Sequence, residues 1–480
     1  MKMKSEAKSY SIRIAVISGL VYLASNCITP DKDLNESIKD TVDVWMTIGD
    51  KSLLFARTRS SVVFGPEVGN DPIIEVDSSQ RFQEIDGFGF ALTGGSAYLL
   101  NKKLNAPQRE ALLKELFLTN NNNIGISYLR ISIGASDLDD RVFSYNDQPS
   151  GKRDVSLTDF NLAADEVNLI PVLKEILALQ PEVKIMASPW TAPSWMKSNN
   201  STKGGSLEPA YYDSYARYLV KYVRAMAKHE IPIDAITIQN EPENPNNNPS
   251  MVMTAEEQAN FVKNNLGPAF KAAGLTTKIV VFDHNCDHPE YPISVLNDRD
   301  AKKYIDGSAF HLYLGQIDAL SKVRNSHPDR NIYFTEQWTS AKGDFGDDLT
   351  WHVKNIIVGA TRNWSRNVLE WNLAADPEFH PHTDGGCTEC RGALTIGDSI
   401  VRNVSYYIVA QASKFVRPGS VRIASNIVDN LYNVAFEDIY GNKILIVLND
   451  ANETKNFGIK YNGEIAHASL PGRAVATFIW

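Results

Sequence analysis

Apolar and polar residues follow two different periods along this chain, and the switch between them divides it. From about residue 85 onward, short runs rich in β-branched and aromatic residues are each followed by segments whose apolar positions recur every three or four residues. Eight β-rich runs stand out, at 85–91, 126–133, 183–189, 235–239, 278–283, 308–313, 331–335 and 368–372. Helical spacing fills the gaps at 108–117, 169–179, 211–228, 255–272 and 351–362, and a last helix is expected over 399–415. Strands alternating with helices predict parallel sheet, because a parallel pair needs a long crossover. Eight such units predict a closed (β/α)8 TIM barrel in an α/β fold rather than an open doubly wound sheet.

The two ends read differently. Residues 42–64, 72–76, 421–424, 431–436, 443–448 and 474–480 alternate with period two, the mark of half-buried antiparallel strands. Tyr440-Gly441-Asn442 and Tyr461-Asn462-Gly463 punctuate them as turns. Both chain ends are therefore expected to pair into one β-sandwich beside the barrel. This divides the chain into sandwich strands at 42–80, a barrel at 81–416 and the rest of the sandwich at 417–480, with a linker at Arg417-Pro418-Gly419. Ahead of these lies a basic start (Lys2, Lys4, Lys8, Arg13) and an apolar stretch from Ile14 to Ala24, too short to span a bilayer comfortably. It reads as a secretory signal over 1–27. Leu23-Ala24-Ser25-Asn26-Cys27 resembles a bacterial lipobox, and a polar, acidic tether fills 28–41. The expectation is export to the periplasm or cell surface, held by an outer-membrane lipid anchor at Cys27.

Composition narrows the function. Of 480 residues, 43% are hydrophobic and 22% charged, ordinary for a protein with a large core. A net charge of −9 argues against a nucleic-acid partner. Several aromatic residues fall beside polar ones in loop-like positions, which suits either sugar stacking or half-buried packing. Beyond Cys27 only Cys286, Cys387 and Cys390 remain, too few for a disulfide scaffold. Cys387 and Cys390 suit a loop-locking disulfide; with His380 and His382 upstream, a zinc site is the less favoured alternative.

The chemistry lies at the ends of the strands, where barrel enzymes carry it. Run four ends in Gln239-Asn240-Glu241-Pro242 and run seven in Phe334-Thr335-Glu336-Gln337-Trp338. Cleaving an acetal needs one carboxyl group to protonate the leaving oxygen and another to meet the oxocarbenium-like carbon. A lone glutamate at a strand end is as often an ion-pair partner; two in polar, aromatic settings favour catalysis. Pro242 is expected to restrict Glu241 to an extended backbone.

With these motifs the chain resembles glycoside hydrolase family 30, relatives of glucosylceramidase and of endo-β-1,6-glucanases. The resemblance runs from about Val42 to Trp480. It rests on the two glutamate blocks together with Ile85-Asp86-Gly87-Phe88-Gly89, Tyr128-Leu129-Arg130-Ile131-Ser132, Ala187-Ser188-Pro189-Trp190-Thr191-Ala192-Pro193-Ser194-Trp195-Met196-Lys197, His311-Leu312-Tyr313 and Trp371-Asn372-Leu373. It implies a retaining β-glycosidase with Glu336 as nucleophile and Glu241 as acid/base, the latter with a raised pKa. Arg130 would keep Glu336 ionised, Tyr313 would orient it, and Asn240 would bond the sugar 2-hydroxyl. Trp190, Trp338 and Trp371 would line the cleft, or else pack the barrel top. His311 would touch substrate or hold the nucleophile from beneath. No cofactor or metal is implied, since two carboxyl groups suffice.

One departure bears on the substrate. Where glucosylceramidases carry an aspartate that grips the outer hydroxyls of a terminal glucose, this chain has Gly94. The expected consequence is room for a chain continuing through O6, hence internal cleavage of β-1,6-glucan. The competing readings are an exo-acting β-glucosidase, another activity of the same family, and a non-catalytic sugar-binding lipoprotein.

Overall fold

The strands from residue 87 to residue 372 close into one barrel. In the computed structural model, which describes residues 41–58, 62–66 and 69–480, its staves are β1 (Gly87–Ala91), β2 (Tyr128–Ile133), β3 (Lys184–Pro189), β4 (Ala235–Thr237), β5 (Lys278–Cys286), β6 (Ile305–Gly315), β7 (Asn331–Glu336) and β8 (Ser365–Asn372). All neighbours are parallel, and β8 returns to β1 with Asn367 opposite Gly87. The expected signal, the tether up to residue 40 and Cys27 lie outside the described residues. No helix among the described residues is long and apolar enough to cross a membrane.

Alternation along each stave builds the interior in layers. Tyr128, Met186, Ala235, Val280, Ala309, Tyr333 and Leu369, one from each of β2 to β8, form a buried apolar plug. Two residues further along come Arg130, Ser188, Thr237, His311, Thr335 and Trp371, a polar layer resting on that plug. β5 breaks the rule. Phe282 and Asp283 both take positive φ, 72° and 64°, and the register with β6 slips beside them. This irregularity re-aims the strand so that Asp283, rather than Phe282, joins the polar layer.

The helix expected over 399–415 begins only at Val404. Ile400–Arg402, β-branched and poor in helix propensity, instead pairs with Leu394–Ile396.

The sandwich is assembled from both ends of the chain. Thr41–Ile48 lies antiparallel to Ala474–Ile479, and Ile73–Glu84 runs between Val421–Ser425 and Lys455–Tyr461. Two strands, Lys455–Tyr461 and Glu464–Leu470, were not among the period-two runs, although the turn joining them was. Gly458 and the flanking lysines and asparagine blur their alternation. Polar links tie this module to the barrel: Lys354 pairs with Asp450 at 2.7 Å, and Arg362 donates to the carbonyls of Ser425 and Asn433 at 3.0 Å.

Candidate active site

Arg130 organises the polar layer. It is wholly buried, and its guanidinium donates to Glu336 Oε2 at 2.5 Å, to Asn240 Oδ1 and Asp283 Oδ2 at 2.7 Å, and to Ser188 Oγ at 3.2 Å. Its cationic face lies 4.8 Å from the Trp190 ring centroid and 5.9 Å from that of Trp371. A buried charge of this kind is stable only where acceptors surround it, and four do so here: Ser188 on β3, Asn240 just beyond β4, Asp283 on β5 and Glu336 on β7. Asp283 is the counterweight. Besides Arg130 it accepts from Thr237 and Thr335 at 2.7 Å and meets His311 Nε2 at 3.1 Å. Burial raises its pKa, but Arg130 and His311 outweigh that and hold it far below the usual carboxylate range.

Glu336 ends β7 with both oxygens engaged, Oε2 by Arg130 and Oε1 by the Tyr313 hydroxyl at 2.8 Å. Glu241 follows β4 after three further residues. Contrary to the extended backbone expected before Pro242, it takes a left-handed φ of 47°. Such a conformation costs of order 1–3 kcal/mol and persists only where the surroundings impose it. Here its N–H donates to the Asp283 carbonyl at 3.0 Å, and its own carbonyl accepts from Asn244 at 2.9 Å. Its Oε2 accepts from the amides of Asn244 and Asn247 at 2.8 and 3.3 Å, while Oε1 lies 3.2 Å from His311 Nδ1. The same nitrogen is 3.8 Å from Glu336 Oε1. These two distances cap the separation of the facing carboxylate oxygens at about 7 Å, which excludes most of the 6.5–9.5 Å range of inverting pairs.

The protonation pattern differs from the one the resemblance implies. Burial pushes Glu336 up, as does the charge of Glu241, against the pull of His311 and Arg130. Burial also raises Glu241, but the hydrogen bond and charge of His311, with His284 and Asn244, bring it down to about 2. Burial disfavours the His311 cation, yet Glu336, Asp283 and Glu241 raise its pKa to about 9. Burial and charge thus favour a proton on His311 over one on Glu241, and a 3.2 Å contact joins His311 Nδ1 to Glu241 Oε1. His311 itself is fully buried beneath the cavity.

Above these groups opens a cavity of about 330 Å³ whose walls include Asp137, Asn244, Asn247, Trp338 and Trp371 beside both glutamates. Trp190 and Trp371 meet at 5.6 Å between ring centroids, tilted by 30°, and pack with Cys390, with Trp338 and Cys387 against them. Cys387 and Cys390 form a disulfide, so their sulfurs serve the cavity wall and not a zinc ion. His380 and His382 stack on each other at 4.6 Å.

Gly94 needs a correction. A Cβ there would fall 1.6 Å from Asp139 Oδ1, so the space the glycine leaves is filled by a neighbouring carboxyl group. Both residues line a different cavity of about 110 Å³. The catalytic cavity has its own third acid in Asp137, which sequence reasoning missed. Burial, with the charges of Glu336 and Glu241, raises its pKa to about 7. It can therefore both accept from and donate to a sugar hydroxyl near neutral pH. Asp283, Asn244, Asn247 and His284 were also missed, although Asp283 closes the fifth β-rich run, His284 is the next residue, and the two asparagines lie within six positions of Glu241.

Comparison with known proteins agrees with this architecture. Residues 85–416 match the glycosyl hydrolase family 30 TIM-barrel domain and residues 419–478 the family's beta sandwich domain. The chain belongs to glycosyl hydrolase family 30. It is 35% identical to an endo-1,6-beta-D-glucanase of Neurospora crassa over 83% of this chain and 88% of the relative. An endo-1,6-beta-D-glucanase of Aspergillus fumigatus is 34% identical over 85% and 87% of the two chains. Among solved structures, the endo-beta1,6-glucanase BT3312 superposes with a TM-score of 0.86 at 33% identity, covering 92% of this chain and 99% of that one.

Proposed function

We infer that this protein is a retaining endo-β-1,6-glucanase. The observation that carries the reaction is the pair of buried carboxyl groups facing one histidine nitrogen at the floor of an open cavity. Glu336, held between Arg130 and Tyr313, is aimed by two donors and attacks the anomeric carbon as a carboxylate. The bond to the glycosidic oxygen breaks as Glu241, supplied through His311, protonates that oxygen. A glycosyl ester on Glu336 results. Water, deprotonated by Glu241, then attacks the same carbon and releases Glu336, returning the proton to the Glu241–His311 pair. In this reading Asn240, whose Oδ1 accepts from Arg130, meets the sugar 2-hydroxyl, where a hydrogen bond tightens as charge develops.

The linkage is supported by the names of the two fungal relatives and of BT3312. An internal cut is supported by the solvent-facing part of the cavity wall, where the exposed Leu314 and half-buried Trp338 join the two glutamates. The test is digestion of β-1,3-, β-1,4- and β-1,6-glucans with the products sized in the first minutes. A ladder of oligosaccharides from the β-1,6-glucan alone is expected. Glucose as the sole early product, or faster cleavage of another linkage, would refute the assignment.

Export and a lipid anchor at Cys27 belong to the same reading, because polysaccharide is met outside the cytoplasm. The basic start, the apolar run to Ala24 and the lipobox-like block support them. Labelled fatty acid fed to expressing bacteria should enter the wild type and not Cys27→Ser. Equal labelling, or none in either, would sink the anchor.

A further inference from the structure

We propose that the floor of the catalytic cavity is also a zinc site, formed by Glu241, His284 and His311, and that its occupancy shuts the enzyme off. Glu241 follows β4, while His284 and His311 lie on β5 and β6, and one ligand atom from each of the three lies within 4.8 Å of the others. Glu241 Oε1 stands 3.2 Å from His311 Nδ1 and 4.0 Å from His284 Nδ1. Zinc bonds of about 2.0–2.1 Å in a tetrahedron need ligand atoms roughly 3.3 Å apart. Small side-chain rotations close that gap.

Three further features separate this cluster from a chance meeting of titratable groups. His284 Nδ1 is buried and lacks any hydrogen-bond partner, so it faces Glu241 across a distance too long for a hydrogen bond. An imidazole nitrogen without a partner keeps its lone pair free for a ligand, and a metal ion would satisfy it. His311 turns its other nitrogen, Nε2, to the Asp283 carboxylate, which Arg130, Thr237 and Thr335 hold in place. A carboxylate behind the imidazole is the arrangement that orients metal-binding histidines. Finally, coordination through Glu241 Oε1 leaves Oε2 with Asn244 and Asn247, so no amide contact is lost.

Two imidazoles and one carboxylate select zinc over magnesium or calcium, which prefer oxygen ligands. Three protein ligands leave a fourth position open toward the cavity. Zinc at this place occupies the oxygen and the nitrogen between which the catalytic proton moves, so Glu241 can no longer give or take it. The inhibitory half of the proposal rests on the role inferred above for Glu241; the binding half does not.

The test uses the whole protein stripped with EDTA, in wild-type form, as His284→Gln, and as the double variant His380→Ala/His382→Ala. Zinc binding is followed by calorimetry, and cobalt is used as a visible probe of tetrahedral coordination. Hydrolysis of an aryl β-glucoside is measured alongside, each variant against its own metal-free rate. The wild type should bind one zinc per chain and lose activity, regain it with EDTA, and ignore magnesium at the same concentration. His284→Gln should raise the half-inhibiting zinc concentration at least about tenfold, while the His380/His382 double variant should not move it. Absence of stoichiometric zinc binding and of a tetrahedral cobalt spectrum in the wild type would overturn the site. So would His284→Gln that is inhibited like the wild type. Zinc bound through His284 with turnover undiminished would overturn the shut-off and also the role of Glu241.

Discussion

Glu336→Gln is expected to cut turnover of β-1,6-glucan by at least roughly 10³-fold, about 4 kcal/mol of barrier. The amide cannot form the glycosyl ester, and no other carboxyl group among the described residues meets Arg130 and Tyr313 together. The fold should survive. Burial raises the pKa of Glu336 in the folded protein, so the folded state favours its protonated form. Its carboxylate therefore weakens stability as pH climbs through that raised value, and the penalty is absent below the unfolded pKa. A neutral glutamine removes that penalty but also removes one charge partner of the buried Arg130, so at neutral pH the variant should stay folded and melt close to the wild-type temperature. Rates on glucan and a thermal melt at pH 7 check both statements. More than about a tenth of wild-type turnover would exclude Glu336 as nucleophile.

Glu241→Gln should divide substrates by leaving group. Removing a general acid costs typically 10²–10⁴-fold where the leaving oxygen needs a proton, as in glucan. The first step on an aryl glucoside with an acidic phenol should change little, leaving a covalent intermediate that builds up because no base activates water. The pH profile carries a second signature. The charge of Glu241 is one of the causes that raise Glu336, so its removal should move the acid limb on the aryl substrate to lower pH. An unmoved or upward-moved limb, or equal losses in the first-step rate on both substrates, would contradict the assignment.

Much of this was legible in the chain, for reasons that can be stated. Eight β-rich runs separated by helical spacing sufficed for the barrel, because strand and helix periods differ and the crossovers are long. The same period of two, carried one step past the apolar plug, names Arg130, Ser188, Thr237, His311, Thr335 and Trp371 as one layer. What it could not give is Asp283. Alternation assigns Phe282 to that layer, and only the two positive φ values in β5 exchange them. The left-handed backbone at Glu241 was hidden for a related reason, since Pro242 argues locally for an extended residue and the contact with Asp283 overrides it. Gly94 shows the opposite failure. Replacing an acid with glycine suggests vacancy when the chain is read alone, yet Asp139, 45 positions on, fills the space. Asp137, two residues before Asp139, puts an acid into the catalytic cavity instead. The protonation pattern was equally out of reach, because it depends on His311 lying between two glutamates that are distant in sequence.

The central claim is double displacement at the Glu241–Glu336 pair, and the configuration of the newborn reducing end tests it most directly. Proton NMR of β-1,6-glucan, recorded within minutes of adding enzyme, should show the β-anomer appearing first and the α-anomer only later, by mutarotation. First appearance of the α-anomer would mean a single displacement by water, and the account of Glu336 as a nucleophile would be wrong.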